Sequence, residues 1–95
     1  MSAVARFADK CSGHGCFPSR PNIGASGNVF VNGKGVQRLG DPYASHCCPN
    51  HGCHDGVVSA GSGHVFVNGR PLARIGDQVS CGSVIEEGSG NVFCN

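Results

Sequence analysis

The apolar positions of this chain fall into three short runs, each followed by a turn signal. The runs are Val-Phe-Val at 29–31 and 65–67 and Val-Phe-Cys at 92–94; the first two continue into Asn-Gly, and the third ends at Asn95. A short apolar run bounded by turn residues predicts a β-strand, and Asn-Gly accepts the positive φ of a tight hairpin turn. The recurring phenylalanines, Phe30, Phe66 and Phe93, are expected to pack in the core or between the arms.

A second repeated phrase predicts the return arm of each hairpin. It is Arg-apolar-small-Asp, at 6–9, 38–41 and 74–77. One all-β domain, 1–95, is therefore predicted, with an N-terminal arm at 1–9, hairpins at about 28–41 and 57–77, and a C-terminal strand at 91–95. Because the last strand lacks a return arm and the first arm lacks an outgoing one, their pairing would close a pseudo-threefold ring without an open edge. The segments 10–23, 42–55 and 78–87 are expected to be loops.

Composition narrows the functional classes. The 95 residues include 16 Gly and 5 Pro, which disfavours long helices, and so small a core usually needs disulfides, a metal or a partner. The formal net charge of +1 argues against nucleic-acid binding. No signal-peptide pattern or membrane-length apolar run is present, so we expect synthesis in the cytoplasm and export by a route that reads no N-terminal signal.

Seven cysteines are an odd number, which does not fit a closed disulfide framework. Together with the lack of a signal pattern, this favours thiols and metal ligands over disulfides. Five cysteines remain open to three interpretations, as packed thiols, a disulfide or a second metal site: Cys11, Cys16, Cys47, Cys48 and Cys53.

Each predicted loop places a His or Cys four or five residues after the Asp that ends a return arm: His14, His46 and Cys81. Near-equivalent positions in three repeats would converge near the threefold axis. His54 lies as far before Val65 as Cys81 lies before Val92, which makes it the fourth candidate, with His51 as the alternative to His54.

Three imidazoles and one thiolate suit one tetrahedral zinc ion, and four protein ligands leave no position for a catalytic water. Such an ion would be structural and would add folding free energy on the order of 10 kcal/mol. The alternatives are a zinc-dependent hydrolase, with Asp55 as the adjacent acid, and a zinc- or disulfide-stabilised binding module.

The two ends of the molecule are predicted to differ. Hairpin arms are antiparallel, so the ligand-bearing loops should gather at one end and the turns and termini at the other. A pseudo-threefold end suits a threefold partner, and we expect the turn end to be its docking face, with these residues: Asn32, Gly33, Asn68, Gly69 and Asn95.

The chain resembles the PAAR-repeat proteins over essentially its whole length. The resemblance is carried by Ala-Val-Ala-Arg at 3–6, Pro-Leu-Ala-Arg at 71–74, Gly-Asn-Val-Phe-Val-Asn-Gly at 27–33 and Ser-Cys-Gly at 80–82. It implies a cone-shaped, three-sided β structure with zinc bound near the point by three histidines and a cysteine. The residues that fit this ligand set are His14, His46, His54 and Cys81.

The resemblance also implies a structural function without enzymatic activity. The family caps and sharpens the trimeric β-helical spike of contractile phage tails or bacterial type VI secretion systems, which pierces the target cell envelope. The implied partners are the spike trimer, bound by one monomer through its base, and the target membrane, contacted transiently. The implied location is the tail tip of a virion, or outside the cell after type VI secretion.

Overall fold

The computed structural model describes residues 1–95 as eight short strands in four antiparallel pairs, with no helix. No segment therefore forms a helix that could cross a membrane. The strands are β1 (Ser2–Ala3), β2 (Phe30–Val31), β3 (Lys34–Gly35), β4 (Pro42–Cys48), β5 (Gly52–Val57), β6 (Phe66–Val67), β7 (Arg70–Pro71) and β8 (Phe93–Cys94).

The predicted closure of the ring is confirmed, because β1 pairs antiparallel with β8, with Ser2 opposite Cys94. The hairpins β2–β3 and β6–β7 turn at Asn-Gly, with positive φ at both residues of each turn, as a two-residue hairpin loop requires. Their paired strands are shorter than the predicted arms, because the return arms leave their hairpins and pair with one another instead.

A closed triangle of backbone hydrogen bonds joins the three return arms. The N–H of Ala5 donates to the carbonyl of Ala73, Ala73 donates to Gln37, and Gln37 donates to Ala5, each over 3.0 Å. All three residues are fully buried. Each arm thus donates to one neighbour and accepts from the other, which gives the molecule its pseudo-threefold axis and confirms the predicted all-β, three-sided fold.

The arginine and aspartate of each return arm form the same turn three times. In each turn the Asp Oδ2 accepts a hydrogen bond from the Arg backbone N–H at 2.8 Å and another from its Nε at 2.9–3.0 Å. These side-chain bonds raise the pKa of Arg38 and Arg74. The turns fix where the loops carrying the candidate ligands begin.

The core of the molecule, which measures 39 × 23 × 23 Å, consists of two clusters. The base cluster consists of Val4, Val36, Val67 and Leu72, and the central cluster consists of Ala5, Cys11, Tyr43, Val58, Ala73, Val79 and Ile85. Val31 and Cys94, beside the turn end, pack on the base cluster, whereas Cys81 packs on the central cluster. The turns and the candidate ligands therefore adjoin different parts of the core.

The longest element is a hairpin where we expected a loop. β4 and β5 pair with His46 opposite His54, Cys47 opposite Cys53 and Cys48 opposite Gly52. The prediction of a loop over 42–55 was wrong, because cross-strand pairs and a turn at Pro49–His51 hold this segment extended although it has few β-branched residues. Val57 accordingly belongs to β5, and the paired strands of the next hairpin span only 66–71.

The repeated phenylalanines were expected to pack in the core or between the arms, and the first of these alternatives was wrong. Phe30, Phe66 and Phe93 keep 59%, 57% and 49% of their surface exposed. Each lies in a two-stranded sheet with one face on the base cluster, and neighbouring strand residues point to opposite faces. Val31 and Val67 therefore face the core, and the phenylalanines face solvent.

Candidate metal centre

Four side chains from four segments converge at the candidate metal centre: His14, His46, His54 and Cys81. Their ligand atoms lie within 4.8 Å of one another. His46 and His54 form a cross-strand pair on β4 and β5, whereas His14 and Cys81 come from the loops that follow the first and third return arms. We call these four residues the His3Cys group.

The three imidazoles direct the same ring atom toward one point. The Nε2 atoms are separated by 3.2 Å between His14 and His46, 3.0 Å between His14 and His54, and 2.7 Å between His46 and His54. His46 Nδ1 lies 2.8 Å from the carbonyl oxygen of Pro18, which can only accept, so Nδ1 carries the proton. In the neutral ring, His46 Nε2 is then unprotonated and has a free lone pair, which is the form that binds a metal.

Phe17 covers the three imidazole rings. Its ring centroid lies 4.8 Å from that of His14, 5.0 Å from His46 and 4.4 Å from His54. Desolvation lowers the pKa of His14, and the neighbouring His46 and His54 lower it further. A lowered pKa favours the neutral imidazole, which is the form that coordinates a metal cation.

Cys81 reaches the histidines because β5 has a glycine where the third loop crosses it. A Cβ atom on Gly56 would lie 2.8 Å from Val79 Cγ1 and 3.0 Å from Cys81 Sγ. Both distances are shorter than normal van der Waals contact, so only glycine leaves room for Cys81 here. The thiol also lies 3.5 Å from Ser83 Oγ.

Gly56→Ala is expected to weaken metal binding by about tenfold or more, in the range seen when a residue that positions a ligand is changed. The added methyl group would push Cys81 away from the three imidazoles. Competition with a chromogenic chelator would measure the affinity. Gly63→Ala is the matched control, because a Cβ at Gly63 meets no atom within 4 Å and its φ is not positive; equal affinities in the two variants would contradict this account.

His51 and the remaining cysteines lie outside the His3Cys group. His51 is exposed in the turn between β4 and β5 and lies beside Cys16 and Cys48. The preference for free thiols was wrong for four cysteines, which form the disulfides Cys16–Cys48 and Cys47–Cys53. Which cysteines pair depends on which segments of the chain come close together in the fold. The number of cysteines in the sequence does not show this. Cys11, Cys81 and Cys94 are free.

At the turn end, the predicted docking residues are exposed and partly hydrogen-bonded. Asn32 Oδ1 accepts from Ser89 Oγ at 2.7 Å and from Arg6 at 3.2 Å, and its Nδ2 donates to Asn91 at 3.0 Å. Asn68 makes equivalent bonds with Ser26, Arg38 and Asn28. These two side chains tie neighbouring repeats together, while Gly33, Gly69 and Asn95 are exposed.

Three residues that shape the centre were not singled out from the sequence. Phe17 covers the rings, the Pro18 carbonyl sets the tautomer of His46, and Gly56 admits Cys81. A signal for the hairpin was present, since His46 and His54, like Cys47 and Cys53, are equally distant from Asn50. No comparable signal marks Phe17.

Comparison with known proteins gives one result. The family model described as PAAR motif matches residues 13–87, a span that includes all four members of the His3Cys group. No curated protein matches the chain.

Proposed function

The chain belongs to the PAAR-motif family, a family of structural spike-tip proteins of contractile injection systems, and from this premise we propose that it caps and sharpens a trimeric β-helical spike. In this proposal one monomer sits on the trimer through its turn end, and the opposite end contacts and pierces the target envelope. The observation that carries the proposal is the ring of three hydrogen-bonded arms, which gives a monomer a pseudo-threefold axis that matches the threefold axis of a trimer.

We propose that the His3Cys group binds one structural zinc ion. The donor set, the lone pair at His46 Nε2 and the lowered pKa of His14 support this assignment. The bound ion would cross-link the two loops to the β4–β5 hairpin. The tip would thereby resist unravelling under load.

The docking face in this proposal consists of the turn residues together with the three exposed phenylalanines. Asn32, Gly33, Asn68, Gly69 and Asn95 would provide the polar contacts. Phe30, Phe66 and Phe93 occupy equivalent positions in the three strand pairs, so each could meet one subunit of the trimer. Apolar side chains repeated around an axis are suited to a partner with the same symmetry.

The test of this function is stoichiometry with the spike trimer of the contractile machine encoded in the same genome. Light scattering coupled to size-exclusion chromatography should show one chain per trimer, because docking on the axis excludes a second copy. Three chains per trimer, or no complex, would overturn the proposed docking. The result does not depend on the identity of the metal, which elemental analysis measures separately.

The hydrolase alternative fits the geometry less well. Asp55 is adjacent to His54 on β5, so the two side chains point to opposite faces of the hairpin. Its carboxylate accepts a hydrogen bond from Ser45 on the exposed side. The acid nearest in sequence is therefore directed away from the His3Cys group, where a general base would be needed.

A further inference from the structure

A second group of metal-capable side chains, Cys16, Cys48 and His51, lies near the turn between β4 and β5. Their ligand atoms are within 4.8 Å of one another. Cys48 is buried, whereas Cys16 and His51 are exposed. None of the three belongs to the His3Cys group, and neither the proposed zinc site nor the proposed docking face uses them. We call them the Cys2His group.

Two local features bring these three side chains together. Cys48 ends β4, and the His51 N–H donates to the Cys48 carbonyl at 3.0 Å, which closes the turn and returns His51 toward Cys48. Cys16 comes from the loop of His14, which doubles back through paired backbone hydrogen bonds between His14 and Phe17. The group therefore joins one loop to the end of one hairpin.

The sulfur atoms of Cys16 and Cys48 can either form a disulfide with each other or each bind a metal ion. Cys16 and Cys48 are joined as a disulfide. When reduced, two thiolates and an imidazole are a donor set suited to zinc or cobalt, with a solvent molecule in the fourth position. Because the thiolate is the form of cysteine that binds a metal, disulfide formation and metal binding exclude each other.

We propose that the Cys2His group is a second metal site that binds a divalent ion such as zinc when Cys16 and Cys48 are reduced and loses it when they form the disulfide. A phosphine with one water reduces the disulfide to two thiols and becomes the phosphine oxide. The metal then displaces one proton from each thiol. In the reverse direction, an added disulfide oxidant takes two electrons from the thiolates and two protons from the solvent and becomes two thiols. The protein disulfide forms again and the metal ion is released.

The consequence for the fold is a link that persists under both redox conditions. Either the disulfide or the metal holds the loop of His14 and Phe17 against β4. That loop supplies one ligand and the aromatic cover of the His3Cys group, so the link helps to position both. Cys47–Cys53 has no such role, because Cys47 is exposed and lies on the opposite face of β4 from Cys48.

Titration of the zinc-loaded protein with Co²⁺ tests the proposal. After reduction by a phosphine, which unlike a dithiol does not compete strongly for the metal, the chain should bind one further equivalent of Co²⁺ with thiolate-to-cobalt absorption. The oxidised chain should bind none. Cys16→Ser should abolish the additional binding, and His51→Ala should weaken it by at least about tenfold, since removing a ligand costs no less than removing the partner that orients it.

The controls separate this site from its neighbours. His64→Ala removes an exposed histidine outside both groups, and the double variant Cys47→Ser/Cys53→Ser removes the other disulfide; both should keep the additional equivalent. His51 is an exposed turn residue, so His51→Ala tests the site even if Cys16→Ser fails to fold. The proposal is overturned if reduced protein binds no additional Co²⁺, if His51→Ala binds it as well as the parent, or if the double variant loses it.

Discussion

Removing the metal from the oxidised protein with a strong chelator is expected to unfold it. Zinc bound by small domains contributes on the order of 10 kcal/mol, which is comparable to the whole stability of such a domain. Here the ion would join two loops and a hairpin around a site that has only Phe17 as an aromatic cover. Circular dichroism and thermal unfolding would follow the loss, and elemental analysis would count the zinc removed.

Single substitutions should reproduce the effect of the chelator. His54→Ala and Cys81→Ser each remove one ligand and are expected to bind zinc far more weakly and to unfold at much lower temperature. His51→Ala and His64→Ala are the matched controls, and in the oxidised protein they should retain one zinc and the parent's stability. Keeping the protein oxidised leaves the Cys16–Cys48 disulfide closed, so the count refers to the His3Cys group alone.

Two results would contradict this prediction. If chelated protein kept its thermal stability, the two disulfides and the core would suffice and the metal would be incidental. If His51→Ala lost zinc while His54→Ala kept it, the ligand assignment would be wrong although a zinc site existed.

The ring was predictable because its signals are local and repeated. The Asn-Gly turns and the Arg-Asp phrase recur at equivalent positions. The repeat leaves one unpaired arm at each end of the chain, so the pairing of β1 with β8 followed from the sequence. The four candidate ligands were chosen by their distances from the repeated Asp and Val positions, and the structure brings them together: His14, His46, His54 and Cys81. Their role as zinc ligands remains a prediction until metal is measured.

The β4–β5 hairpin was not predicted, because its stability comes from cross-strand partners and strand propensity contributes little. Two cross-strand pairs hold the hairpin together, Cys47 with Cys53 and His46 with His54. The local sequence of this segment is typical of a loop. The exposure of Phe30 has another cause: a run of three apolar residues does not reveal which face of a two-stranded sheet the core covers. The hairpin depends on cross-strand pairs only six and eight residues apart in the chain. The exposure of Phe30 instead depends on base-cluster residues from distant segments.

Replacing Phe30, Phe66 and Phe93 together by serine is expected to weaken docking on the spike trimer by at least about 100-fold. Full burial of a phenylalanine is worth about 1.5–3 kcal/mol, so burying the exposed half of each should contribute about 1 kcal/mol. Three such contributions give about 3 kcal/mol, and each 1.4 kcal/mol is a factor of ten in affinity. Surface plasmon resonance with immobilised trimer would measure the loss.

The matched control for this triple variant is Ile23→Ser, because Ile23 is also an exposed apolar residue, at 55%. Its backbone N–H donates to the carbonyl of Pro42 at the start of β4, outside the three strand pairs that carry the phenylalanines. It should bind the trimer like the parent. The triple variant should keep the parent's zinc content, and it should unfold at a lower temperature than the parent because about half of each phenylalanine is already buried in the free protein. Unchanged affinity in the triple variant would show that the trimer does not contact this face, and equal losses in both variants would mean that docking depends on general surface apolarity.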